Sequence, residues 1–330
     1  MRRSSRRLLG LGTATVVAGA MTLVAGPAWS ETAGTATASA GSSAGTSAST
    51  TATATGTTTG PSVAEMDASG NHVMGAGIAA HAGQTRVAAD LPVGPTPLGT
   101  NTKVAAAAAK RPTGKINGMD VSAWQPNVDF TAAYGLGARF AYIKATEGVS
   151  YVSSTYASQY RNAKNAGFIR GGYVYAQPSK ASGAATANYF FAHGGQWTAD
   201  GVTLPPLLDI EYGTAAQGVC YGKSWPQMRS WIADFSATVY KKTHRYPAIY
   251  TTTDWWKRCT NNSIRFAKNP LFVAIYPVKD FSGPGTLGAS WKSTGWRFWQ
   301  WAASGTLPGD QDVYRSADGA NLRAFAKKTE

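Results

Sequence analysis

The sequence predicts an α/β fold: a (β/α) barrel, preceded by a long stretch with no core of its own. Three observations carry this expectation. Short apolar runs recur from about Gly114 onward. Helical patterns lie between several of them, and such alternation favours a parallel sheet. Before Gly114, Ala, Gly, Ser and Thr dominate. Seven or eight strands in about 215 residues favour a closed barrel over an open sheet.

Residues 1–30 read as an export signal. Basic Met1-Arg2-Arg3-Ser4-Ser5-Arg6-Arg7 precedes an apolar stretch from Leu8 to Ala25 and a small-residue site at Ala28-Trp29-Ser30. Ser5-Arg6-Arg7-Leu8-Leu9 also fits a twin-arginine signal, which leaves the export route open. The apolar run is rich in Gly, Ala and Thr and borderline in length for an anchor, so no stable membrane insertion is expected after signal removal. Residues 31–113 are expected to form a disordered linker. With almost no aromatics or large aliphatics, such a stretch cannot offset its ordering entropy. Its Gly41-Ser42-Ser43-Ala44-Gly45 formally matches a nucleophile elbow, but no strand precedes it and no helix follows.

The barrel is expected over residues 114–330. Ile116–Val121, Phe140–Ala145, Gly171–Ala176, Leu204–Glu211, Pro247–Thr251, Leu271–Tyr276 and Phe298–Ala302 read as buried strands. Ser154–Ala166 reads as a helix. So does Trp225–Lys242, with Ser224 as its cap and Met228, Trp231, Ile232 and Phe235 on one face. The helical signal fades after Leu271.

The chain carries a net charge of +14. Residues 114–330 hold 23 Lys and Arg against 13 Asp and Glu, a net of about +10. Such a surface favours anionic partners, either nucleic acid or the acidic polymers of a cell wall. Export selects the wall, and no nucleic-acid module is recognisable. The two cysteines, Cys220 and Cys259, suit an oxidising compartment. Paired, they would close a loop of about 40 residues and add roughly 4 kcal/mol in the loop-entropy account. Two buried free thiols are the alternative. The histidines, His72, His81, His193 and His244, show no ligand spacing. No metal and no cofactor are expected, and the protein is expected to be a monomer.

Acidic residues are scarce in the barrel region yet fall where strands end. Asp120 follows Ile116-Asn117-Gly118-Met119, Glu147 follows Tyr142-Ile143-Lys144-Ala145-Thr146, and Asp209 and Glu211 close Leu204–Leu208. In a parallel barrel those ends form the active face. Asp209 and Glu211 are two apart on a strand, so both point the same way. Held that close, one carboxyl should keep its proton while the other stays ionised. That division is what glycoside cleavage needs. Trp124, Tyr142, Tyr173, Tyr175, Tyr212, Tyr250, Tyr276, Trp299 and Trp301 lie in or just after the same strands. Each ring alone is better read as core packing, and only the set, gathered near strand ends, suits a sugar groove.

The ordered motifs resemble those of family 25 glycoside hydrolases, the Chalaropsis-type lysozymes. Gly118-Met119-Asp120-Val121-Ser122-Ala123-Trp124-Gln125 is similar to the family's opening motif. Phe140–Gly148, Leu207-Leu208-Asp209-Ile210-Glu211, Ile249-Tyr250-Thr251-Thr252 and Phe298-Trp299-Gln300-Trp301 follow in the family's order. The resemblance implies an irregular barrel with eight strands and fewer helices. It implies hydrolysis of the β-1,4 bond between N-acetylmuramic acid and N-acetylglucosamine in peptidoglycan, by a secreted enzyme. It implies Glu211 as general acid/base and Asp209 stabilising positive charge, directly or by orienting the substrate's acetamido group. Asp120 would hold substrate and Glu211. Asp310, in Asp310-Gln311-Asp312-Val313-Tyr314, is the better match to a fourth family acid, with Asp312 the alternative. Trp124, Glu147, Tyr173, Tyr175, Tyr212, Tyr250, Tyr276 and Trp299 would line the glycan site. The Cys220 and Cys259 contexts resemble a disulfide found in part of the family. The chain departs from the family at Tyr173-Val174-Tyr175, where a His is common, and at Ile275-Tyr276. A wall-binding module without turnover is one competing reading. A chitinase is another, but its Asp-x-x-Asp-x-Asp-x-Glu spacing is absent before Asp209.

Overall fold

The structure, a computed structural model, describes residues 61–84, 112–276 and 281–329. Eight strands close a barrel. Seven of them run β1 (Ile116–Val121), β2 (Ala138–Glu147), β4 (Ile169–Tyr175), β5 (Leu207–Asp209), β6 (Ala248–Thr251), β7 (Leu271–Ala274) and β8 (Trp296–Ala302). These pair in parallel in that order. The eighth, β9 (Asp310–Tyr314), runs antiparallel to both β8 and β1 and so closes the ring. A two-residue β3 (Tyr151–Val152) folds back on β2.

The apolar runs of the sequence place seven of these strands. They do not place β9, because Asp-Gln-Asp-Val-Tyr carries no apolar alternation; its inward side is acidic and its pairing depends on two distant strands.

Helices cover the outside early in the barrel and then stop. They are α3 (Phe130–Gly135), α4 (Tyr156–Asn165), α5 (Gly183–Ala192), α6 (Trp225–Thr243) and α7 (Thr253–Thr260). Among the described residues after β7 there is one 3-10 turn, Ala289–Trp291, before α8 (Gly319–Lys327) follows the last strand. In α6 the Ser224 N–H and hydroxyl both donate to Gln227 Oε1, holding the first turn as a capping residue does. Met228, Trp231, Ile232 and Phe235 are buried as its periodicity predicts.

Strand alternation divides the core into two layers. Phe140, Tyr142, Tyr173, Tyr250, Phe272 and Phe298 fill the barrel interior, with the Phe140 and Phe298 rings 5.1 Å apart. Trp231, Phe235, Trp255, Trp256 and Trp299 pack between strands and helices. Cys220 and Cys259 are disulfide-bonded, tying the loop after β5 to α7. Among the described residues no helix is long and apolar enough to cross a membrane.

One region departs from the expected linker. Residues 61–84 fold against the strand ends as α1 (Val63–Ser69) and α2 (Ala76–His81). Met66, Val73, Met74, Ala76 and Ala79 are buried. The composition of 31–113 as a whole conceals this short stretch, whose few apolar side chains use the barrel's core instead of building one. A local signal was present: Ser62-Val63-Ala64-Glu65 is a capping box, with reciprocal Ser62 and Glu65 bonds. The expected export signal over 1–30, and the expected linker over 31–60 and 85–111, lie outside the described residues.

Candidate active site

The strand ends gather the acids. Tyr175, Asp209 and Tyr250 stand abreast on β4, β5 and β6. Residues abreast in a parallel sheet share a face, and here it is the barrel interior. Glu211, two residues past Asp209, keeps that direction. Across the ring Asp120 of β1 pairs with Asp310, the first residue of β9. Because β9 is antiparallel, its beginning lies at the rim where the other strands end. Asp312 sits two residues deeper, opposite Gly118, where burial and the Asp120 charge push its carboxyl well up. The rim position therefore belongs to Asp310.

Gln300 of β8 joins the two rim acids. Its Nε2 donates to Asp120 Oδ2 at 2.9 Å and to Asp310 Oδ2 at 2.7 Å. Its Oε1 accepts the Tyr250 hydroxyl at 2.7 Å. One amide thus fixes both carboxylates and one ring, using both ends of its dipole.

Asp209 and Glu211 are wholly inaccessible. Glu211 accepts the Gly75 N–H on Oε1 at 2.7 Å and the Ile78 N–H on Oε2 at 2.8 Å. These are free donors at the start of α2. Burial nonetheless pushes Glu211 up to about 8, against the pull of those two bonds. Asp209 is raised well above the usual carboxylate range by burial, then by the charges of Glu211 and Asp120. Neither Asp209 oxygen has a hydrogen-bond partner among the described residues. The expected split of one raised and one low carboxyl does not occur here. Both are raised, because burial outweighs the charges that oppose it, Lys144 at Asp209 and His72 at Glu211, and Lys144 is committed elsewhere.

That commitment is to Glu147. Lys144 Nζ donates to Glu147 Oε2 at 2.7 Å, to Asn71 Oδ1 at 3.1 Å and to the His72 carbonyl. Glu147 also accepts the His72 N–H, His72 Nδ1 and Gln177 Nε2. Burial would raise Glu147, but the Lys144 and His72 charges outweigh it and bring the group to about 2. His72 Nε2 meets Asp67 at 2.8 Å. With a carboxylate on each ring nitrogen, the imidazole is held doubly protonated. Burial works against that charge; the bonds to Glu147 and Asp67 prevail and raise its pKa.

Of the residues expected to line the site, Trp124, Glu147, Tyr173, Tyr175, Tyr212, Tyr250 and Tyr276 come to this rim. Trp124 Nε1 donates to the Asn71 carbonyl at 2.6 Å. His81 stacks on Tyr212 with centroids 4.0 Å apart, and His72 on Tyr175 at 5.1 Å. Trp299 does not come. On β8, Phe298 and Gln300 point inward, so Trp299 points outward; it packs in the helix layer and donates to the Ile275 carbonyl. Strand alternation forbids the groove position that the sequence suggested. Lys144, Gln177 and Gln300 were missed. Lys144 and Gln300 both sit inside the quoted motifs, where an inward polar residue between apolar neighbours was the available signal.

The sequence profile of the glycosyl hydrolases family 25 matches residues 119–310. The chain belongs to that family. It is therefore a glycoside hydrolase, and its closed barrel with few helices is the fold the family's solved structures share. An N,O-diacetylmuramidase of Arthroderma benhamiae is 46% identical over 227 residues, covering 68% of this chain and 93% of that protein. Lysozyme M1 of Streptomyces globisporus is 42% identical over 222 residues, covering 66% and 73%. The muramidase structure from Acremonium alcalophilum superposes with a TM-score of 0.60 at 48% identity, covering 64% of this chain and 99% of that one. For a bacterial lysozyme from Streptomyces coelicolor the values are 0.61, 40%, 66% and 100%. The matched residues span the rim acids Asp120, Asp209, Glu211 and Asp310.

Proposed function

We propose that this family 25 enzyme is a secreted muramidase that hydrolyses the β-1,4 bond between N-acetylmuramic acid and N-acetylglucosamine in peptidoglycan. The observation that carries the reading is geometric: Asp209 and Glu211 both face the barrel opening, across from Asp120 and Asp310. A general acid working near neutrality must hold a proton there. Glu211 gives that proton to the leaving glycosidic oxygen, then takes one from the attacking water. Asp209, ionised once the opening admits water and substrate, faces the positive charge that develops at the sugar's anomeric carbon, directly or through the substrate's acetamido oxygen. Asp120 and Asp310, locked by Gln300, hold the sugar from the other side of the opening. The tyrosines offer ring faces and hydroxyls to the glycan. The basic surface favours anionic wall polymers, and the protein acts as a monomer without nucleic acid. Secretion is supported by the basic and apolar opening of the sequence and by the Cys220–Cys259 disulfide, which oxidising compartments sustain.

The test uses the barrel, Gly114–Glu330, on purified cell wall. Glu211→Gln is expected to lower reducing-end release about 10³-fold while wall binding persists. Mass spectrometry should find muramic acid at the new reducing ends. Equal release from wild type and variant, or glucosamine at those ends, would exclude the proposed chemistry.

A further inference from the structure

Residues 61–84 occupy the opening that the proposed reaction needs. The Gly75 and Ile78 amides take both oxygens of Glu211. Asn71 and His72 engage Lys144, Glu147 and Trp124. Met74 joins the interior cluster with Tyr173 and Tyr250, and His81 lies over Tyr212. With the segment in place Asp209 and Glu211 have no exposed surface, so a sugar cannot reach them.

The segment is shaped to this seat. Gly75 has φ of +87°, and a Cβ there would meet the Tyr276 hydroxyl at 2.7 Å. At Gly77 a Cβ would overlap the Tyr212 carbonyl oxygen. Only glycine passes both points. Yet the barrel does not need the segment to close: the β1 pairings with β2 and β9 complete the ring, with no strand from residues 61–84. The Acremonium alcalophilum muramidase is matched over 99% of its chain by 64% of this one, a share about as long as the barrel.

We propose that residues 61–84 are an inhibitory segment, and that this chain is latent until the segment is cut from the barrel and leaves. The cut is hydrolysis of one peptide bond beyond Gln84 by a protease. Water adds across the amide, leaving a carboxylate on the segment side and an amine on the barrel side, with nothing oxidised or reduced. Release uncovers Glu211, frees two donors of Lys144 and exposes Trp124 and Tyr212 together. The inference rests on the reading of this opening as the glycan site.

The experiment uses the full chain with a recognition sequence for a specific protease substituted within residues 92–100. The probe is a tetrasaccharide of alternating N-acetylglucosamine and N-acetylmuramic acid. Binding is followed by calorimetry and cleavage by reducing ends, before and after cutting. Cutting is expected to raise both by about 100-fold or more, since a cleft open only a small fraction of the time lowers apparent affinity by that fraction. Gly77→Leu in the uncut chain should raise both as well, and should remove the amide-exchange protection of Gly75 and Ile78. If the uncut chain binds and cleaves as well as the cut one, the segment does not inhibit. If the cut chain alone binds but releases no reducing ends, inhibition stands and the muramidase reading falls. If neither form binds, both fall.

Discussion

Glu147 and Glu211 are two buried carboxylates at strand ends, covered by the same segment, yet they are driven in opposite directions. Glu147 is brought to about 2 and Glu211 is raised to about 8. Burial pushes both up. What separates them is the partner. Glu147 has Lys144 and His72 beside it, so its charge is matched and hydrogen-bonded. Glu211 has two neutral backbone amides, His72 only as a distant charge with no bond to it, and the like charge of Asp120 across the opening. In a medium where an unmatched charge is costly, a neighbouring cation decides whether a carboxyl keeps its proton. In the proposed reaction one strand end holds and the other transfers a proton.

Removing the cation should erase the contrast. Lys144→Met leaves Glu147 buried beside a loosened His72, and is expected to cost about 3–5 kcal/mol, the range for breaking a buried pair. The denaturant midpoint reads this. Adding Glu147→Gln should restore most of the loss, because the orphaned charge is gone. The ¹³C-labelled Glu147 carboxyl in the single variant should titrate well above 2. A neutral Lys144→Met would mean that the cation is not what distinguishes the two sites.

Gln300→Leu tests the opposite wall. It removes the shared donor of Asp120 and Asp310 and leaves the Tyr250 hydroxyl without its acceptor. Turnover by the cut chain is expected to fall about 10- to 100-fold, the scale for misplaced positioning groups, with kcat falling more than KM rises. An unchanged kcat would remove the two acids from the reacting centre.

The smallest effect concerns pH. His72 has a raised pKa, so its contribution to holding the segment is complete below its ordinary value near 6.5 and is lost as pH rises through the raised one. Glu147, Asp67 and Lys144 face it. Glu211, faced by Asp120, meets opposing effects in the covered state: burial favours its protonated form and the Gly75 and Ile78 amide bonds its ionised one. Glu147 is depressed, so its contribution is present above 4.5 and lost as pH falls toward about 2. The uncut-to-cut activity ratio is therefore expected to rise roughly a few-fold from about pH 6 to pH 9. His72→Gln should flatten the His72 part of that rise. A ratio that falls with pH would mean that His72 is not charged in the seated segment.

Much of the site was legible before the fold. Asp209 and Glu211 share a side because a strand repeats every two residues, and Asp120 and Glu147 were placed at strand ends by the apolar runs before them. Trp299 was legible too, since strand alternation puts it on the face opposite Phe298 and Gln300. The fate of Glu147 was not, since its main partners include His72, 75 positions away. The folded stretch 61–84 escaped because its side chains are too few and too small to make a core; they are ordered only by a cleft that already exists.

The sequence by itself determined the strand positions, the shared face of the acid pair, the order of the family motifs and the presence of two cysteines. These follow from local periodicity and residue chemistry, which act over a few neighbours. The tertiary structure alone decided that β9 would run antiparallel and bring Asp310 to Asp120, and that Lys144 would serve Glu147. It alone decided that Gly75 and Ile78 would turn their amides to Glu211. Those outcomes depend on which distant groups share a dry interior, where a single hydrogen bond or charge outweighs what composition along the chain can indicate.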